Sequence, residues 1–275
     1  MTGDGTIATV TIAWFHRGIE RLELSGPVAV CGDIHGRLDL LDRLLAALPP
    51  GVPLVHCGDL VDRGPQSRGV LQRLIDVGAR GVRGNHEEWL CEWVLGRVRG
   101  DDGALVPRLD AFGRLLGETT LASYGLDPRA PLHELDAARV VVPEAHVRLL
   151  DGLPLVLDLV VDGVSYWVIH AGVVDTIQRP AGLVVDGPPP PPWPDDAGDV
   201  VPWLVRWHRD ELLWTKTEPF HQSDVGRTVL FGHIPGHGPL DLGHCIALDT
   251  GAGTRWPDAA LTAVILPERR FVAVT

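Results

Sequence analysis

The stretch VAVCGDIHGR, residues 28–37, passes from four apolar residues into a glycine, an aspartate and a histidine. Two later segments, PLVHCGD (53–59) and GVRGN (81–85), have the same form. Apolar residues at helical spacing fill the regions between them, over 38–48 and 70–75. The order strand, helix, strand, helix, strand is typical of a layered α/β domain with parallel strands.

Polar residues follow these predicted strands directly. Asp33 and His35 follow the first strand, Asp59 the second and Asn85 the third. Ligands of open α/β sheets gather beyond the carboxyl ends of the strands, so these side chains are candidate functional residues. The alternative is structural, because Asp33 and Asn85 could cap the helices that follow them and a single histidine is usually structural. The recurrence of the pattern favours a site.

The second half of the chain predicts more strands. LPLVLDLVVDGVSYWVIHAG (153–172) predicts two strands joined by an Asp-Gly turn and ending on His170. TVLFGHIPG (228–236) predicts another strand, which ends just before His233. LTAVILPE and RFVAVT together predict a terminal hairpin. Imidazoles therefore also lie where strands end.

Two segments fit this pattern less well. Residues 89–148 predict a helical elaboration, and DGPPPPPWPDDAGD (186–199) predicts a surface loop, because consecutive prolines remove backbone donors. We expect a single domain over residues 1–275. A short helix with an aromatic, core-facing stripe is predicted from Trp203, Trp207 and Trp214.

The composition limits the partners. The net charge of -12 argues against a broad nucleic-acid-binding surface and against binding to an anionic membrane surface. No apolar run reaches the ~18 residues that a membrane span needs, and no secretory leader is predicted. The cysteines form no Cys-x-x-Cys pair and are predicted to be reduced, buried fillers. We therefore expect a cytoplasmic protein. The four cysteines are Cys31, Cys57, Cys91 and Cys245.

Five motifs in order carry a resemblance to a known family. They are GDIHG (32–36), GDLVDRG (58–64), GNHEE (84–88), HAG (170–172) and FGHIP (231–235). Between about residues 28 and 265 the chain resembles the phosphoprotein-phosphatase branch of the calcineurin-like metallophosphoesterases, including bacterial and phage enzymes. The resemblance implies a four-layer αββα sandwich of two mixed β-sheets flanked by helices.

The same resemblance implies two divalent metal ions. Mn²⁺ is expected, and Fe, Zn and Co accept the same ligand types. Two dications beside two carboxylates leave a local positive charge that activates water and attracts a phosphate despite the acidic surface. The implied ligands are Asp33 and His35 for the first ion, Asp59 as a bridge, and Asn85, His170 and His233 for the second ion.

Phosphate binding is assigned by the resemblance to Arg63, to Asn85 and to the position of Lys216. An arginine is usual in the family after a Leu-Leu-Trp segment, whereas this chain has Lys216 in ELLWTK. Lysine keeps the charge but loses the planar fork. Arg206 and Arg209 are candidates to replace that fork.

The implied reaction is hydrolysis of a phosphomonoester by direct attack of a metal-bridging hydroxide. His86 is the implied general acid, and Asp62 orients its ring and favours its charged form. The family's symmetrical dinucleoside tetraphosphate hydrolases tend to lack this Asp and to have Gly-Asn-His-Asp, whereas this chain has Asp62 and Glu87. The sequence therefore favours a protein serine/threonine phosphatase-like enzyme.

Several alternatives stay open at this point. The substrate could be a phosphoprotein, a small phosphoester or a nucleotide. The hydrolase of dinucleoside tetraphosphates and a nucleic-acid end phosphatase share the motifs. A remote alternative is a non-catalytic protein that binds a partner through its PPPPPW loop (188–193).

Overall fold

The computed structural model describes residues 18–95, 117–130, 132–174, 194–207 and 209–275. These residues form eleven strands and eight α-helices. The strands are β1 (Ile19–Leu24), β2 (Val28–Cys31), β3 (Leu54–His56), β4 (Arg80–Gly81), β5 (Val156–Val161), β6 (Val164–Ile169), β7 (Thr228–Phe231), β8 (Leu240–Asp241), β9 (Cys245–Ala247), β10 (Leu261–Leu266) and β11 (Arg270–Val274). The helices are α1 (Leu38–Ala47), α2 (Ser67–Asp76), α3 (Asn85–Val94), α4 (Glu118–Ser123), α5 (Leu132–Ala138), α6 (Glu144–Gly152), α7 (Ala197–Trp207) and α8 (Glu211–Trp214).

The strands form two mixed sheets. The five-stranded sheet has the order β11-β10-β2-β3-β4, in which β2, β3 and β4 are parallel. The six-stranded sheet has the order β1-β5-β6-β7-β9-β8, in which β6, β7 and β9 are parallel. The predicted hairpins at 156–169 and 261–274 are both present as antiparallel pairs. Each sheet therefore supplies three parallel strands with their carboxyl ends at one edge.

Three hydrophobic cores separate four layers. The first packs α1 and α2 on the five-stranded sheet, with Leu41 and Leu71 fully buried. The second lies between the sheets and includes Val55 and Leu230. The third packs α7 and α8 on the six-stranded sheet, around Leu204. The predicted αββα sandwich is confirmed.

Some sequence predictions on helix limits need correction. α1 and α3 begin after Arg37 and Gly84, which are their N-caps, so neither Asp33 nor Asn85 is a capping residue. The predicted loop over 186–199 is wrong at its end, because α7 begins at Ala197. Acidic residues just before and within the first turn of α7 favour a helix start there. Residues 186–193 of that loop lie outside the described residues.

The segment predicted to be a helical elaboration contains helices where it is described. Helices α3 to α6 occupy it, although α3 begins before residue 89 and α6 continues to Gly152. The predicted short helix is two helices, because Trp203 lies on α7 and Trp214 on α8. Both side chains are partly buried against the third core, as predicted for the stripe, and the side chain of Trp207 is not described. The single-domain prediction stays a prediction. Within the described part of the chain, no helix is both long and apolar enough to cross a membrane.

Candidate metal centre and phosphoesterase site

One acidic, amide or imidazole side chain follows each of six parallel strands. In the five-stranded sheet these side chains follow β2, β3 and β4. In the six-stranded sheet they follow β6, β7 and β9. All except His233 are buried. The six residues are Asp33, Asp59, Asn85, His170, His233 and Asp249.

His35 completes a first cluster around Asp59. Its Nδ1 donates to the Val61 carbonyl at 2.9 Å, so the unprotonated Nε2 points inward. That Nε2 lies 3.7 Å from Asp33 Oδ2 and 3.5 Å from Asp59 Oδ2, and it has no hydrogen-bond partner. An unpaired, buried lone pair facing two carboxylates is the arrangement that a cation would satisfy.

His170 and His233 form a second cluster on the other oxygen of Asp59. His170 Nδ1 donates to the Cys57 carbonyl, which leaves its Nε2 as an acceptor. This Nε2 lies 2.9 Å from Asn85 Oδ1, 3.1 Å from His233 Nδ1 and 3.4 Å from Asp59 Oδ1. Burial lowers the pKa of His170, and it lowers that of His233 to about 3, so both rings are neutral near pH 7.

The donor set therefore fits two metal ions. Acceptor atoms only about 3 Å apart repel one another unless a cation lies between them. Two groups of possible ligands are present in the described residues, and both contain Asp59. They are His35, Asp59 and His86, with Asp33 Oδ2 3.7 Å from His35 Nε2, and Asp59, His170 and His233. Carboxylate, amide and imidazole together suit transition metals such as Mn, Fe, Zn and Co.

Asp249, which follows β9 within LDTG, was not predicted from the sequence. It lies beside Asp33, and burial raises its pKa to about 6. Burial, Asp249 and Asp59 raise the pKa of Asp33 well above its ordinary value. Burial would likewise raise the pKa of Asp59, but the imidazoles of His170, His86 and His35 hold it well below the ordinary value. A cation among these carboxylates would keep Asp33 and Asp249 ionised.

The turn after Asp249 packs directly against the site. Gly253 lies against His35 so closely that a Cβ there would overlap the imidazole ring. Ala252 and Gly253 also line the cleft above the site. The signal that could have found this segment is an acid directly after an apolar strand, the same signal that identified Asp33 and Asp59.

His86 forms a close pair with Asp62. Its Nδ1 lies 2.7 Å from Asp62 Oδ2, and its Nε2 lies 3.7 Å from Asp59 Oδ2. Burial disfavours the charged imidazolium, but Asp59 and the hydrogen bond to Asp62 outweigh it and raise the pKa of His86. His86 is therefore arranged to hold a proton beside the two clusters.

Five site residues adopt left-handed backbone conformations that non-glycine residues rarely use. Such conformations cost on the order of 1–3 kcal/mol each and persist only where surrounding contacts fix them. Their clustering here shows that the strand ends are held in one arrangement by the fold. The residues, with φ in degrees, are His35 (47), Asp59 (49), Asp62 (68), Arg63 (63) and His233 (70).

Glu87 holds the loop that carries Asp59. Its buried carboxylate accepts backbone N–H groups from Asp59, Leu60 and Val61, and from Gly84 at the start of α3. Burial, followed by the charge of Asp59, raises the pKa of Glu87 to about 7. The carboxylate thus joins the turn after β3 to the first turn of α3.

Glu87→Gln is expected to destabilise the fold by about 2–3 kcal/mol, because the amide NH₂ would face backbone donors and charge-assisted hydrogen bonds would be lost. Denaturant unfolding measures this. Glu144→Gln is the matched control, since the Glu144 side chain is 80% exposed and pairs only with Arg148 among the described residues. Equal stability of the two variants would contradict the assigned role of Glu87.

A cleft of about 1400 Å³ opens onto His86, Asn85 and His233. Arg63 and Lys216, the predicted phosphate-binding residues, both line it and are exposed. Arg37 and Arg255, which the sequence analysis did not select, line it too. Trp214 also contributes to this lining, in addition to the core contact predicted for it.

The two candidate replacements for the family arginine do not line this cleft. Neither Arg206 nor Arg209 is among its described lining residues. Arg209 Nη1 instead donates to Glu88 Oε1 at 2.9 Å. The other carboxylate oxygen of Glu88 accepts from Arg83 Nη1 at 3.0 Å. Of the three candidates for that position, only Lys216 is among the described residues that line the cleft.

Comparison with known proteins assigns the fold and chemistry to a family. The sequence profile of calcineurin-like phosphoesterases matches residues 26–250. The chain belongs to this family. Serine/threonine-protein phosphatase 1 of Salmonella typhimurium is 45% identical to the phosphoesterase over 231 residues, which cover 82% of this chain and 86% of that protein.

Two further similarities concern nucleotide hydrolases. A symmetrical bis(5'-nucleosyl)-tetraphosphatase of Ralstonia nicotianae is 46% identical over 108 residues, which are 36% of the phosphoesterase and 38% of that relative's length. A crystal structure of a candidate diadenosine tetraphosphatase superposes with a TM-score of 0.54 at 22% identity, covering 94% of this chain and 97% of that one. The latter supports the fold alone.

These findings confirm the predicted family, fold and enzyme class. The phosphoesterase is a hydrolase of phosphate esters and resembles serine/threonine phosphatases. Family membership implies divalent metal ions, and the two ligand clusters fit them.

Proposed function

We propose that the protein is a phosphomonoesterase of the serine/threonine phosphatase type, with a dinuclear metal centre at the floor of the cleft. The observation that carries the proposal is that two groups of possible ligands share Asp59. His86, which belongs to the first group, is held by Asp62 and is the proposed proton donor rather than a ligand. A shared carboxylate would hold two ions close together, and a proton donor next to them supplies the second requirement of ester hydrolysis.

The residues that would hold the ions follow from the two clusters. Asp33, His35 and Asp59 would hold one ion, with Mn²⁺ proposed. Bound divalent ions supply a Lewis acid and a nucleophile at neutral pH. The second ion would be held by Asp59, Asn85, His170 and His233.

The chain's own cations would bind the phosphate. Arg63 lies in the cleft next to Asp62, and its guanidinium suits two phosphate oxygens at once. The Asn85 amide would add a neutral donor, and Lys216 a point charge. These residues account for attraction of an anion to a protein whose net charge is -12.

His86 would protonate the leaving oxygen. Its Nδ1–H donates to Asp62, so the Nε2–H is the proton that is available at the cleft. Asp62 would keep the ring in this orientation and favour its protonated form. Transfer of the proton neutralises the alkoxide as the bond to phosphorus breaks, which matters most for poor leaving groups.

The second candidate function is hydrolysis of a symmetrical dinucleoside tetraphosphate. The 46% identical segment of the Ralstonia nicotianae relative favours it. The His86–Asp62 pair and the longer match to the Salmonella typhimurium phosphatase favour the monoesterase. Phosphoproteins are therefore the proposed substrates. An end-phosphorylated nucleic acid is the third substrate to be assayed.

A metal and substrate assay tests this proposal. Chelated protein is expected to lose hydrolysis of para-nitrophenyl phosphate and to regain it with Mn²⁺. The reloaded sample is then assayed side by side on a phosphoserine peptide, diadenosine tetraphosphate and a 3′-phosphorylated oligonucleotide, with the peptide expected to have the highest kcat/KM. Full activity after complete metal removal would contradict the metal centre, and a strong preference for the dinucleotide would reverse the substrate ranking.

A further inference from the structure

A pair of buried hydroxyl groups lies against Asp62, and one of them contacts the carboxylate oxygen that His86 does not use. Thr120 on α4 and Ser67 at the start of α2 are fully buried, and their oxygens are 2.9 Å apart. The backbone nitrogen of Asp62 lies 3.0 Å from each of the two hydroxyl oxygens, to which its N–H donates. Thr120 Oγ1 also lies 2.5 Å from Asp62 Oδ1. Both the backbone and the carboxylate of Asp62 thus contact this pair.

The protons of this group can be assigned from its chemistry. A carboxylate only accepts, so the Thr120 hydroxyl donates to Asp62 Oδ1. Thr120 then has no second proton, and the Ser67 hydroxyl must donate to Thr120. Thr120 therefore gives its one proton to Asp62 and accepts from Ser67 and from the Asp62 N–H, which uses its full hydrogen-bonding capacity.

This arrangement fixes a residue whose backbone is strained. Asp62 has φ of 68° and needs contacts that hold it in the left-handed region. Its two carboxylate oxygens also have separate partners, since Oδ1 accepts from Thr120 and Oδ2 accepts from His86 Nδ1 at 2.7 Å. Rotation of the carboxylate would break both hydrogen bonds together.

We propose that Thr120 is a positioning residue, which fixes the Asp62 carboxylate and through it the imidazole of His86. Its catalytic consequence rests on the proposed function of His86. Helix α4 lies outside both sheets and supplies this one hydroxyl to the site. A methyl group in place of that hydroxyl would leave Asp62 Oδ1 without its Thr120 donor.

The first test observes the ring directly and needs neither metal nor substrate. In metal-free protein with ¹⁵N-labelled histidine, the proton on His86 Nδ1 is expected as a downfield resonance that disappears in His86→Asn. Thr120→Val is expected to remove or strongly broaden it, whereas Thr120→Ser, which keeps the hydroxyl, preserves it. Retention of a sharp, unshifted resonance in Thr120→Val would overturn the proposal.

The second test is kinetic. Residues that orient metal ligands typically contribute 10–100-fold, and we expect Thr120→Val, which acts on His86 in the same indirect way, to lower kcat for an alkyl phosphate by about that factor. The loss for para-nitrophenyl phosphate should be less than about threefold, because that leaving group needs little protonation. Thr120→Ser should restore kcat. In a His86→Asn background, Thr120→Val should have no further effect on the leaving-group dependence.

Controls separate positioning from general damage. Ser123→Ala removes another hydroxyl of α4, which bonds the Thr120 carbonyl and the Arg68 N–H, and it should leave the leaving-group dependence unchanged. An equal loss on all substrates in Thr120→Val would contradict the proposal. Should Thr120→Val not fold, Thr120→Ala tests the same hydroxyl. Absence of hydrolysis in the wild type would refute the proposed function, and the resonance would still decide the positioning of His86.

Discussion

Replacement of Asp59 by asparagine is expected to lower kcat/KM for an aryl phosphate by more than about 10³-fold, beyond the 10–100-fold typical of residues that only support metal ligands. The reason is that Asp59 belongs to both ligand clusters. An amide keeps the size of the side chain but removes its charge and turns one acceptor into a donor. Both ions should therefore bind more weakly.

Metal content and activity together measure this effect. Wild type should retain two ions per chain after gel filtration, and Asp59→Asn fewer. Asp158→Asn is the matched control, since Asp158 is a buried carboxylate on β5 that pairs with Arg21 and Arg227 and not with the candidate site. It should reduce stability and leave metal content unchanged. Retention of two ions and normal turnover in Asp59→Asn would refute a shared ligand.

His86→Asn is expected to have the second largest effect, and the effect should depend on the substrate. General acid catalysis contributes about 10²–10⁴-fold, so kcat for an alkyl phosphate should fall by that amount. Hydrolysis of para-nitrophenyl phosphate should fall far less, since its leaving group departs as a stable anion. A plot of log kcat against leaving-group pKa should become steeper.

The control for this variant is another buried histidine. His146 bonds the Tyr124 hydroxyl and Gln72 and lies outside the cleft lining. His146→Asn should lower the thermal midpoint without changing the slope of the leaving-group plot. If His86→Asn keeps the wild-type slope, then His86 is not the proton donor.

Much of the fold could be predicted because its signals are local. The runs that end in Gly-Asp predicted β2 and β3, and the run that ends in Gly-Asn predicted β4, which the structure limits to Arg80–Gly81. Apolar residues at helical spacing predicted α1 and α2. The pairing of two sheets came from the family resemblance, since alternation along one strand does not say which sheet it joins. The end of the proline-rich loop was misplaced because Ala197 has no strong helix-start signal of its own beyond nearby acids.

The site was predictable only where a residue lay in a recognisable motif. Asp249 was not selected, although IALD (246–249) has the same strand-and-acid form as the segments that end on Asp33 and Asp59. Thr120 has no sequence signal, since its role depends on a contact with Asp62, 58 positions earlier in the chain. Glu87 served only to rank substrates, and its four backbone hydrogen bonds became visible once β3 and α3 were placed together.

The position of the site between two sheets links cofactor affinity to the packing of the whole sandwich. Asp33 and Asp59 come from one sheet, and His170 and His233 come from the other. Ions shared between them would cross-link the sheets, so their binding energy would add to folding stability. By the same linkage, any change that loosens the apolar interface around Val55 would weaken metal binding without touching a ligand. The hydrophobic core between the two sheets would therefore help to set how much metal the site binds.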